Sequence, residues 1–352
     1  MIGVYMPNWI GDTVMALPFI ATLRQRNSES RILAVARDWV SPILQSSPLV
    51  DELFIIGAGK DRGMSGATTI GRQLQQFNLE QFYLLSDSLR CAYLAWQSGA
   101  SKRIGYSGQG RSLLLTEVLS SVFKKCHRTE RYLDLIGIDS NAAEEAVIHL
   151  NKDEKESASA CLDSLGLNRP LAVFPGSAAQ SRRPPTALWK GVLEAAVSSG
   201  NSVLMLGGKK DASVAAELEV AIKEERVTSL CGKTTLRETI GLIAQCSGAI
   251  ASDSGLGHIA ANLGLPTVSL FGAGDPKITA PIGKRTDVVF TNAHCSPCQK
   301  NICHNTEEPL LCLNTMTTGV IWERYGLLKE KAVSYTHLRA HETDSYLVCR
   351  LL

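Results

Sequence analysis

The first group that could do chemistry is a carboxylate near the start of the chain. Asp12 follows a short apolar run, Ile2–Met6, and a loop, Pro7–Gly11, so it lies where a predicted strand turns into a helix. A carboxylate at such a turn can cap the helix and interact with its dipole. If it faces a substrate instead, it can act as a general base. The residues leave both roles open.

The segment Ala251–His258, with the sequence ASDSGLGH, also joins a predicted strand to a helix. Polar residues and glycines at a helix start expose backbone N–H groups, which bind anions such as phosphate. Asp253, Ser254, Gly255 and His258 are therefore candidates for an anion site, in which His258 donates a hydrogen bond to a phosphate. The alternative is a capped helix with His258 as an ordinary polar residue.

A third segment follows the apolar run Leu171–Phe174. Ser177 lies in the small-residue loop after this run, and Arg182 and Arg183 come next. Two guanidinium groups suit a diphosphate because each one can donate hydrogen bonds to two oxygens of the same phosphate. The alternative is that this segment is a solvated loop with surface charges. The chain has no GxxxxGK[ST] loop and no GxGxxG after its first strand, which disfavours a dinucleotide dehydrogenase.

Residues 87–131 are basic, with eight lysines and arginines against three acids, an excess of five positive charges. Lys102, Arg103 and Arg111 are candidates in this segment for binding an anionic acceptor molecule. A solvated protein surface is the alternative.

The cysteines are clustered rather than evenly spread. Four of the ten fall within eighteen residues, at Cys295, Cys298, Cys303 and Cys312. Four thiolates are enough for a structural zinc site, and His294 or His304 could replace one of them. The alternative is a set of reduced cysteines that pack a long loop.

Length and composition indicate the class of protein and the number of domains that contain these segments. The chain has 352 residues, 45% of them apolar, and a formal net charge of +2, which indicates two domains and disfavours a general nucleic-acid binder. Apolar runs are too short for a membrane span, and the first residues lack the pattern of a signal peptide. We expect a cytoplasmic protein.

Apolar runs alternate twice with helical patterns, which predicts parallel βαβ units and an α/β fold class. The predicted organisation is an N-terminal Rossmann-like domain over residues 1–165 and a C-terminal one over residues 166–332. Residues 333–352 have no clear period and are predicted to be a non-native or disordered tail. Ligands of such sheets bind beyond the carboxyl ends of the strands.

These motifs resemble those of the lipopolysaccharide heptosyltransferases of glycosyltransferase family nine, above all the heptosyltransferase II branch. The similarity extends over roughly residues 1–331. It rests on PNWIGDTVMALP at 7–18, PGSAAQSRR at 175–183, LGGKKD at 206–211 and SDSGLGHIAANLGLPTVSLFGAGDP at 252–276.

The resemblance implies a GT-B architecture, with two Rossmann-like domains whose parallel sheets face each other across a cleft. It also implies an inverting glycosyltransferase without a metal cofactor. The donor would be ADP-L-glycero-D-manno-heptose, bound by the C-terminal domain. The acceptor would be heptosyl-Kdo2-lipid A of the lipopolysaccharide inner core, bound by the N-terminal domain. Such an enzyme would contact the inner-membrane surface peripherally and would bind no nucleic acid.

The resemblance also assigns residue roles. Asp12 matches the general base, and the donor site matches Ser177, Arg182, Lys210, Asp253, Ser254, Gly255 and His258. Arg182 stands where the family often has lysine, and Arg183 with the prolines after it departs from the usual Lys-Arg-Trp-Pro run. Two alternatives remain open: another GT-B sugar-nucleotide enzyme, either a glycosyltransferase or an epimerase, and a non-catalytic sugar-nucleotide-binding protein.

Overall fold

The computed structural model describes residues 1–59, 62–120, 126–139 and 146–330. The chain divides into two compact units, Met1–Lys152 with Lys277–Thr279, and Asp153–Pro276 with the chain from Ala280 onward. Each unit contains one six-stranded parallel sheet with helices, which confirms the predicted α/β fold class. The tail predicted at 333–352 lies outside the described residues.

The units divide at a different point from the domain boundary predicted at 165/166. Helix α6 (Lys152–Ser164) belongs almost entirely to the second unit. Its Glu154 accepts a hydrogen bond of 2.7 Å from the guanidinium of Arg237, which is on a helix of that unit. The charged sequence of α6 resembles a linker, so the residues alone did not show this packing.

The sheet of the first unit has the strand order β3-β2-β1-β4-β5-β6. Its strands are β1 (Ile2–Tyr5), β2 (Ile32–Arg37), β3 (Glu52–Ile56), β4 (Gln81–Leu84), β5 (Lys102–Tyr106) and β6 (Glu117–Leu119). Its helices are α1 (Ile10–Met15), α2 (Leu17–Arg26), α3 (Gly63–Leu74), α4 (Leu89–Gln97) and α5 (Arg128–Asp134). Every residue of β1 and β2 is buried, as expected for central parallel strands covered on both faces.

The sheet of the second unit has the order β12-β11-β10-β7-β8-β9. Its strands are β7 (Leu171–Phe174), β8 (Val203–Met205), β9 (Val227–Ser229), β10 (Gly248–Ser252), β11 (Thr267–Phe271) and β12 (Thr286–Phe290). The helices after α6 are α7 (Thr186–Ser198), α8 (Ala212–Ile222), α9 (Leu236–Ala244), α10 (Gly255–Asn262), α11 (Pro276–Thr279), α12 (Leu311–Asn314) and α13 (318–330).

An apolar cluster joins the second sheet to its helices. Val173 of β7, Trp189 of α7 and Tyr325 of α13 belong to this cluster, and each is almost completely inaccessible to solvent. The helices are thereby fixed against the sheet, so the loops at the strand ends start from a rigid frame. Among the described residues, no helix is both long enough and apolar enough to cross a bilayer.

Both sheets share one topology, in which the first strand lies between the second and the fourth. The strand order therefore reverses between β1 and β4 in the first unit, and between β7 and β10 in the second. Such reversal points leave a crevice outside the carboxyl ends of the strands, where ligands of open α/β sheets bind. Asp12 follows β1, and the segments of Ser177 and Asp253 follow β7 and β10.

Candidate functional sites in the two units

Asp12 lies in the first turn of α1 and does not cap it. Trp9, with an extended backbone, occupies the cap position and makes no side-chain cap. The Asp12 side chain is 23% exposed, and its Oδ1 lies 3.7 Å from Nε of Arg128. The capping role that the sequence left open is therefore wrong, and the carboxylate is available at the surface beside a guanidinium.

Helix α5 positions Arg128 against α1. His127 caps α5 by accepting a hydrogen bond of 3.3 Å from the backbone N–H of Thr129. The buried hydroxyl of Thr129 donates to the carbonyl of Met15, 2.9 Å away, and so ties the start of α5 to the end of α1. Burial, and then the negative charge of Asp12, raises the pKa of Tyr132 well above its usual value. The ion pair thus rests on a fixed helix–helix contact.

Arg111 does not lie on an exposed surface, in contrast to its assignment as an acceptor-binding residue. Its side chain is fully buried, and its Nε donates to the carbonyl of Tyr106, 2.7 Å away, while another nitrogen donates to the carbonyl of Ser86. A further guanidinium nitrogen lies 3.5 Å from a carboxylate oxygen of Asp87. These contacts join the ends of β4 and β5, so Arg111 has a structural role.

The other two acceptor candidates differ from each other. Lys102 is exposed and forms an ion pair of 3.2 Å with Glu117. The Arg103 guanidinium donates to the carbonyls of Leu114 and Ala100, and burial lowers its pKa. Only Lys102 therefore offers a solvated cation of the kind that the sequence predicted. Lys124 and Lys125 of the same basic segment lie outside the described residues.

In the second unit, hydrogen bonds connect the loops after β7 and β10. The Ser177 hydroxyl donates to the carbonyl of Asp253, 2.7 Å away, and the Ser252 hydroxyl donates to the carbonyl of Gly176. β7 and β10 are paired neighbours, so the two predicted segments form one site at the reversal point of this sheet.

Asp253 is the most deeply placed charge in this site. It is only 5% exposed, and its Oδ2 lies 3.4 Å from Nε of Arg182. Burial raises the pKa of Asp253 to about 6, although the Arg182 charge acts to lower it. A Cβ added at Gly274 would come within 2.0 Å of Oδ2, so a glycine is required where this backbone passes the carboxylate.

A second arginine–carboxylate pair lies beside the first. Nε of Arg183 donates to the carbonyl of Ser177, 2.7 Å away, and another nitrogen lies 3.8 Å from Oδ1 of Asp211. Asp211 also accepts a hydrogen bond of 2.9 Å from the backbone N–H of Gly208 after β8. The two consecutive arginines therefore pair with two different carboxylates, Arg182 with Asp253 and Arg183 with Asp211.

Helix α10 begins at this site without a side-chain cap. Ser254 occupies the cap position, and its buried hydroxyl has no hydrogen-bond partner among the described residues. The first N–H groups of α10 are thus not satisfied by a capping side chain and can receive an anion. His258 in the first turn of α10 is buried. Lys210 follows β8 and is exposed.

The clustered cysteines line a separate cavity of about 340 Å³ in the second unit, together with His294 and His304. Burial raises the pKa of Cys312, and the other three cysteines of the cluster raise it further. The backbone N–H of Leu310 donates to Cys303 Sγ over 3.3 Å. Nevertheless, within the described part of the chain no three His, Cys, Asp or Glu side chains are placed to hold a metal ion. The zinc hypothesis therefore gains no support, and the cysteines that the structure describes are free thiols.

Two residues of these sites were not predicted as site residues. Arg128 was counted only as part of the basic segment, because nothing local in the sequence connects it to Asp12. Asp211 lies at the end of the LGGKKD segment, where its carboxylate is so close to Gly176 that a Cβ there would come within 2.1 Å. A glycine in the loop after a strand was the available signal for such a close approach.

Comparison with known proteins shows which protein family the chain resembles. The family model "Glycosyltransferase family 9 (heptosyltransferase)" matches residues 67–308. Lipopolysaccharide heptosyltransferase 2 of Salmonella typhimurium is 28% identical over 306 residues, covering 80% of this chain and 86% of that protein. Lipooligosaccharide heptosyltransferase 2 of Haemophilus influenzae is 27% identical over 305 residues, with the same coverage.

Solved structures agree with this match. The Escherichia coli ADP-heptose lipopolysaccharide heptosyltransferase II is 25% identical and superposes with a TM-score of 0.78, covering 94% of this chain and 99% of that one. A family 9 glycosyltransferase from Veillonella parvula, at 21% identity, superposes with a TM-score of 0.83 over 94% and 97% of the two chains, and shows the same fold. The family model alone spans more than half of the chain. The chain therefore belongs to glycosyltransferase family 9, the heptosyltransferases.

Proposed function

We propose that this protein is an inverting heptosyltransferase that moves L-glycero-D-manno-heptose from ADP-heptose to heptosyl-Kdo2-lipid A, in the inner core of lipopolysaccharide. Family membership supports the class of reaction. The relatives described above are lipopolysaccharide and ADP-heptose heptosyltransferases, which supports the two substrates. The observation that carries the proposal is the pair of arginines and the uncapped helix α10 at the reversal point of the second sheet.

In this proposal the second unit binds the donor. The diphosphate of ADP-heptose carries negative charge, and that charge increases as the bond to the sugar breaks. Arg182, His258 and the N-terminus of α10 stabilise the leaving ADP, because fixed donors aimed at developing charge lower the barrier. Ser177, Lys210 and Gly255 complete the proposed donor site. Asp253 holds Arg182 in place through their ion pair of 3.4 Å.

The first unit supplies the base. A sugar hydroxyl is a poor nucleophile until a base accepts its proton. Asp12 accepts that proton while the acceptor oxygen forms a bond to the anomeric carbon of heptose. The bond from this carbon to the diphosphate oxygen breaks in the same step, and the electron pair leaves with ADP. Direct displacement inverts the configuration at the anomeric carbon.

Arg128 has a part in this step as the ionic partner of Asp12. Nε of Arg128 lies 3.7 Å from Oδ1 of Asp12. The positive charge of this guanidinium favours the ionised carboxylate, which is the form that can accept a proton from the acceptor hydroxyl. Lys102 is the remaining exposed candidate for contact with the anionic acceptor. We further propose a cytoplasmic location with peripheral contact at the inner-membrane surface, where a lipid-anchored acceptor would be found.

The test is a transfer assay with ADP-heptose and two acceptors, Kdo2-lipid A and heptosyl-Kdo2-lipid A. We expect transfer to the heptosylated acceptor with release of ADP. Transfer from another nucleotide sugar only would indicate a different glycosyltransferase. Binding of ADP-heptose without turnover on either acceptor would indicate a non-catalytic binding protein, and both results would contradict the proposal.

A further inference from the structure

Two cysteines separated by two residues lie in the loop between β12 and α12. Cys295 and Cys298 both line the cavity of about 340 Å³ in the second unit. Cys298 is exposed to solvent, Cys295 is partly buried, and both are free thiols. This spacing is typical of reversible dithiol–disulfide pairs, in which an accessible thiol reacts first and its neighbour completes the exchange. The proposed transfer reaction uses neither thiol.

The backbone around these cysteines, residues 295–301, is called the thiol segment below. Two hydrogen bonds attach it to the loop after β11. The Ser296 hydroxyl donates to the carbonyl of Gly272, and the backbone N–H of Gln299 donates to the carbonyl of Ala273, 2.7 Å away. The first of these bonds starts between the two cysteines, and the second starts directly after the exposed one. A change at the cysteines therefore acts on the loop after β11.

Two further hydrogen bonds attach the thiol segment to the loop after β7. Ser181 is only 2% exposed. Its backbone N–H donates to the carbonyl of Asn301, 3.1 Å away, and its hydroxyl donates to the carbonyl of Lys300. The next residue in the chain is Arg182, so the thiol segment also holds the backbone that carries this arginine.

The two loops held by the thiol segment meet at the ion pair of the proposed donor site. Nε of Arg182 lies 3.4 Å from Oδ2 of Asp253. Gly274, directly after the loop residues that the thiol segment binds, passes this carboxylate so closely that a Cβ there would come within 2.0 Å of Oδ2. The thiol segment thus supports the backbone beside both members of the ion pair.

We propose that Cys295 and Cys298 form a dithiol–disulfide switch that controls the loops next to Arg182 and Asp253. The oxidant is a small dissolved disulfide such as glutathione disulfide. The Cys298 sulfur attacks one sulfur of this molecule, which forms a mixed disulfide and releases one glutathione. The Cys295 sulfur then attacks the Cys298 sulfur and releases the second glutathione. The two cysteines are oxidised to one disulfide bond, and the small disulfide is reduced to two thiols that take up both protons.

Oxidation would displace the thiol segment. A disulfide requires its two Cβ atoms about 3.8 Å apart and a restricted dihedral angle. The structure has the free thiols, and in this state the hydrogen bonds to both loops are formed. Joining the sulfurs moves the backbone at Ser296 and Gln299 and weakens its bonds to the loop after β11. We therefore expect the oxidised form to bind ADP more weakly. This consequence rests on the proposed function, whereas formation of the disulfide does not.

The test compares the full chain after reduction with dithiothreitol and after equilibration with glutathione disulfide. Intact mass shows the loss of two hydrogens, and peptide mapping identifies the linked cysteines. Calorimetry measures the affinity for ADP, and hydrogen exchange measures protection at residues 180–182 and 272–274. Elemental analysis before treatment measures bound metal, and thermal unfolding confirms that each variant is folded.

We expect a disulfide between Cys295 and Cys298, a Kd for ADP that rises about tenfold on oxidation, and faster exchange at 180–182 and 272–274. A tenfold change is about the effect of one lost hydrogen bond to a charged group. Cys298→Ser should bind ADP like reduced wild type under both conditions. The matched control is Cys303→Ser, which removes another thiol of the same cavity and should keep the full response to glutathione disulfide.

Oxidised wild type without a disulfide, or with a disulfide between other cysteines, would overturn the proposal. So would a bound metal that keeps these thiols from reacting, or equal responses of Cys298→Ser and Cys303→Ser. If exchange at 180–182 and 272–274 becomes faster on oxidation but ADP binds neither form, the switch stands and the proposed function fails. If ADP binds both forms with the same affinity, the proposed donor site stands and the switch fails.

Discussion

At the scale of single residues, the proposed chemistry depends first on Asp12. Asp12→Asn keeps the shape of the side chain but cannot accept the proton of the acceptor hydroxyl. We expect turnover to fall by ~10²–10⁴-fold, the usual range for a lost general base. The affinity for ADP-heptose should change little, because the proposed donor groups lie in the other unit. Release of ADP measures turnover, and calorimetry measures donor affinity. Near-normal turnover would remove Asp12 from the mechanism.

Asp253 predicts a pH dependence of stability. Burial raises its pKa to about 6 in the folded protein, from an ordinary 3.8, so folding favours the protonated form. Its favourable contribution is therefore complete below pH 3.8 and is lost as the pH rises through about 6. Asp253→Asn removes the buried charge and should stabilise the protein at pH 7.5, by up to about 2–3 kcal/mol. This gain should shrink towards pH 4.

Urea unfolding of wild type and Asp253→Asn across this range measures the effect. The amide keeps a polar partner for Arg182, so the variant does not leave that guanidinium without a neighbour. A variant that is less stable than wild type at pH 7.5, or a difference that does not vary with pH, would contradict the assignment. A cost in stability at a binding site is common, because groups placed for ligands are not placed for folding.

At the scale of elements, Arg111 and Lys102 show why the basic segment could not be interpreted from charge alone. Both lie on or next to β5, but Arg111 is fully buried between strand ends and Lys102 is solvated. Arg111→Ala leaves the carbonyls of Tyr106 and Ser86 without their donor and should destabilise the protein by about 3–5 kcal/mol. Lys102→Glu should change stability by less than about 1 kcal/mol.

Denaturant unfolding compares the two variants, and acceptor KM is measured only for the one that folds normally. Lys102→Glu should raise the KM for the acceptor and leave the KM for ADP-heptose unchanged, with a smaller effect at high salt. If Arg111→Ala is as stable as wild type, the structural role given to it is wrong. Equal changes in both KM values for Lys102→Glu would point to a disturbed fold instead of a lost contact.

The elements that the sequence predicted well are those buried on all sides. β7 lies at the predicted residues, and β1 ends one residue before the end of the apolar run Ile2–Met6, because central parallel strands are continuous apolar runs. β5, β6 and β9 were missed. β5 begins with two charged residues, and β6 and β9 have three residues each, too few for a pattern. Helix α5 was missed because charged residues surround its buried face.

At the scale of the whole molecule, sequence motifs located the candidate sites but did not predict the arginine–carboxylate ion pairs within them. Local spacing placed Asp12, Ser177 and Asp253 at strand ends, and the strand order then explains why two of these segments meet. Spacing could not show that Arg182 faces Asp253, or that Arg128 faces Asp12, since those contacts depend on how distant elements pack. Resemblance to a family supplied the roles, which geometry alone leaves open.

The assignment of the donor to the second unit makes a prediction for the whole chain. ADP binds the folded protein and not the unfolded chain, so saturating ADP should raise the melting temperature in proportion to the logarithm of its concentration. Hydrogen exchange should slow at residues 175–183 and 252–258, whose backbone forms the proposed diphosphate site. Residues 6–12 of the first unit should exchange at the same rate with and without ADP, because ADP alone does not bring the acceptor sugar to Asp12.

The matched control for this prediction is His258→Ala, which should weaken ADP binding and reduce the protection at 252–258. Protection confined to residues 6–12, or unchanged protection in His258→Ala, would place the nucleotide elsewhere and require a different donor site.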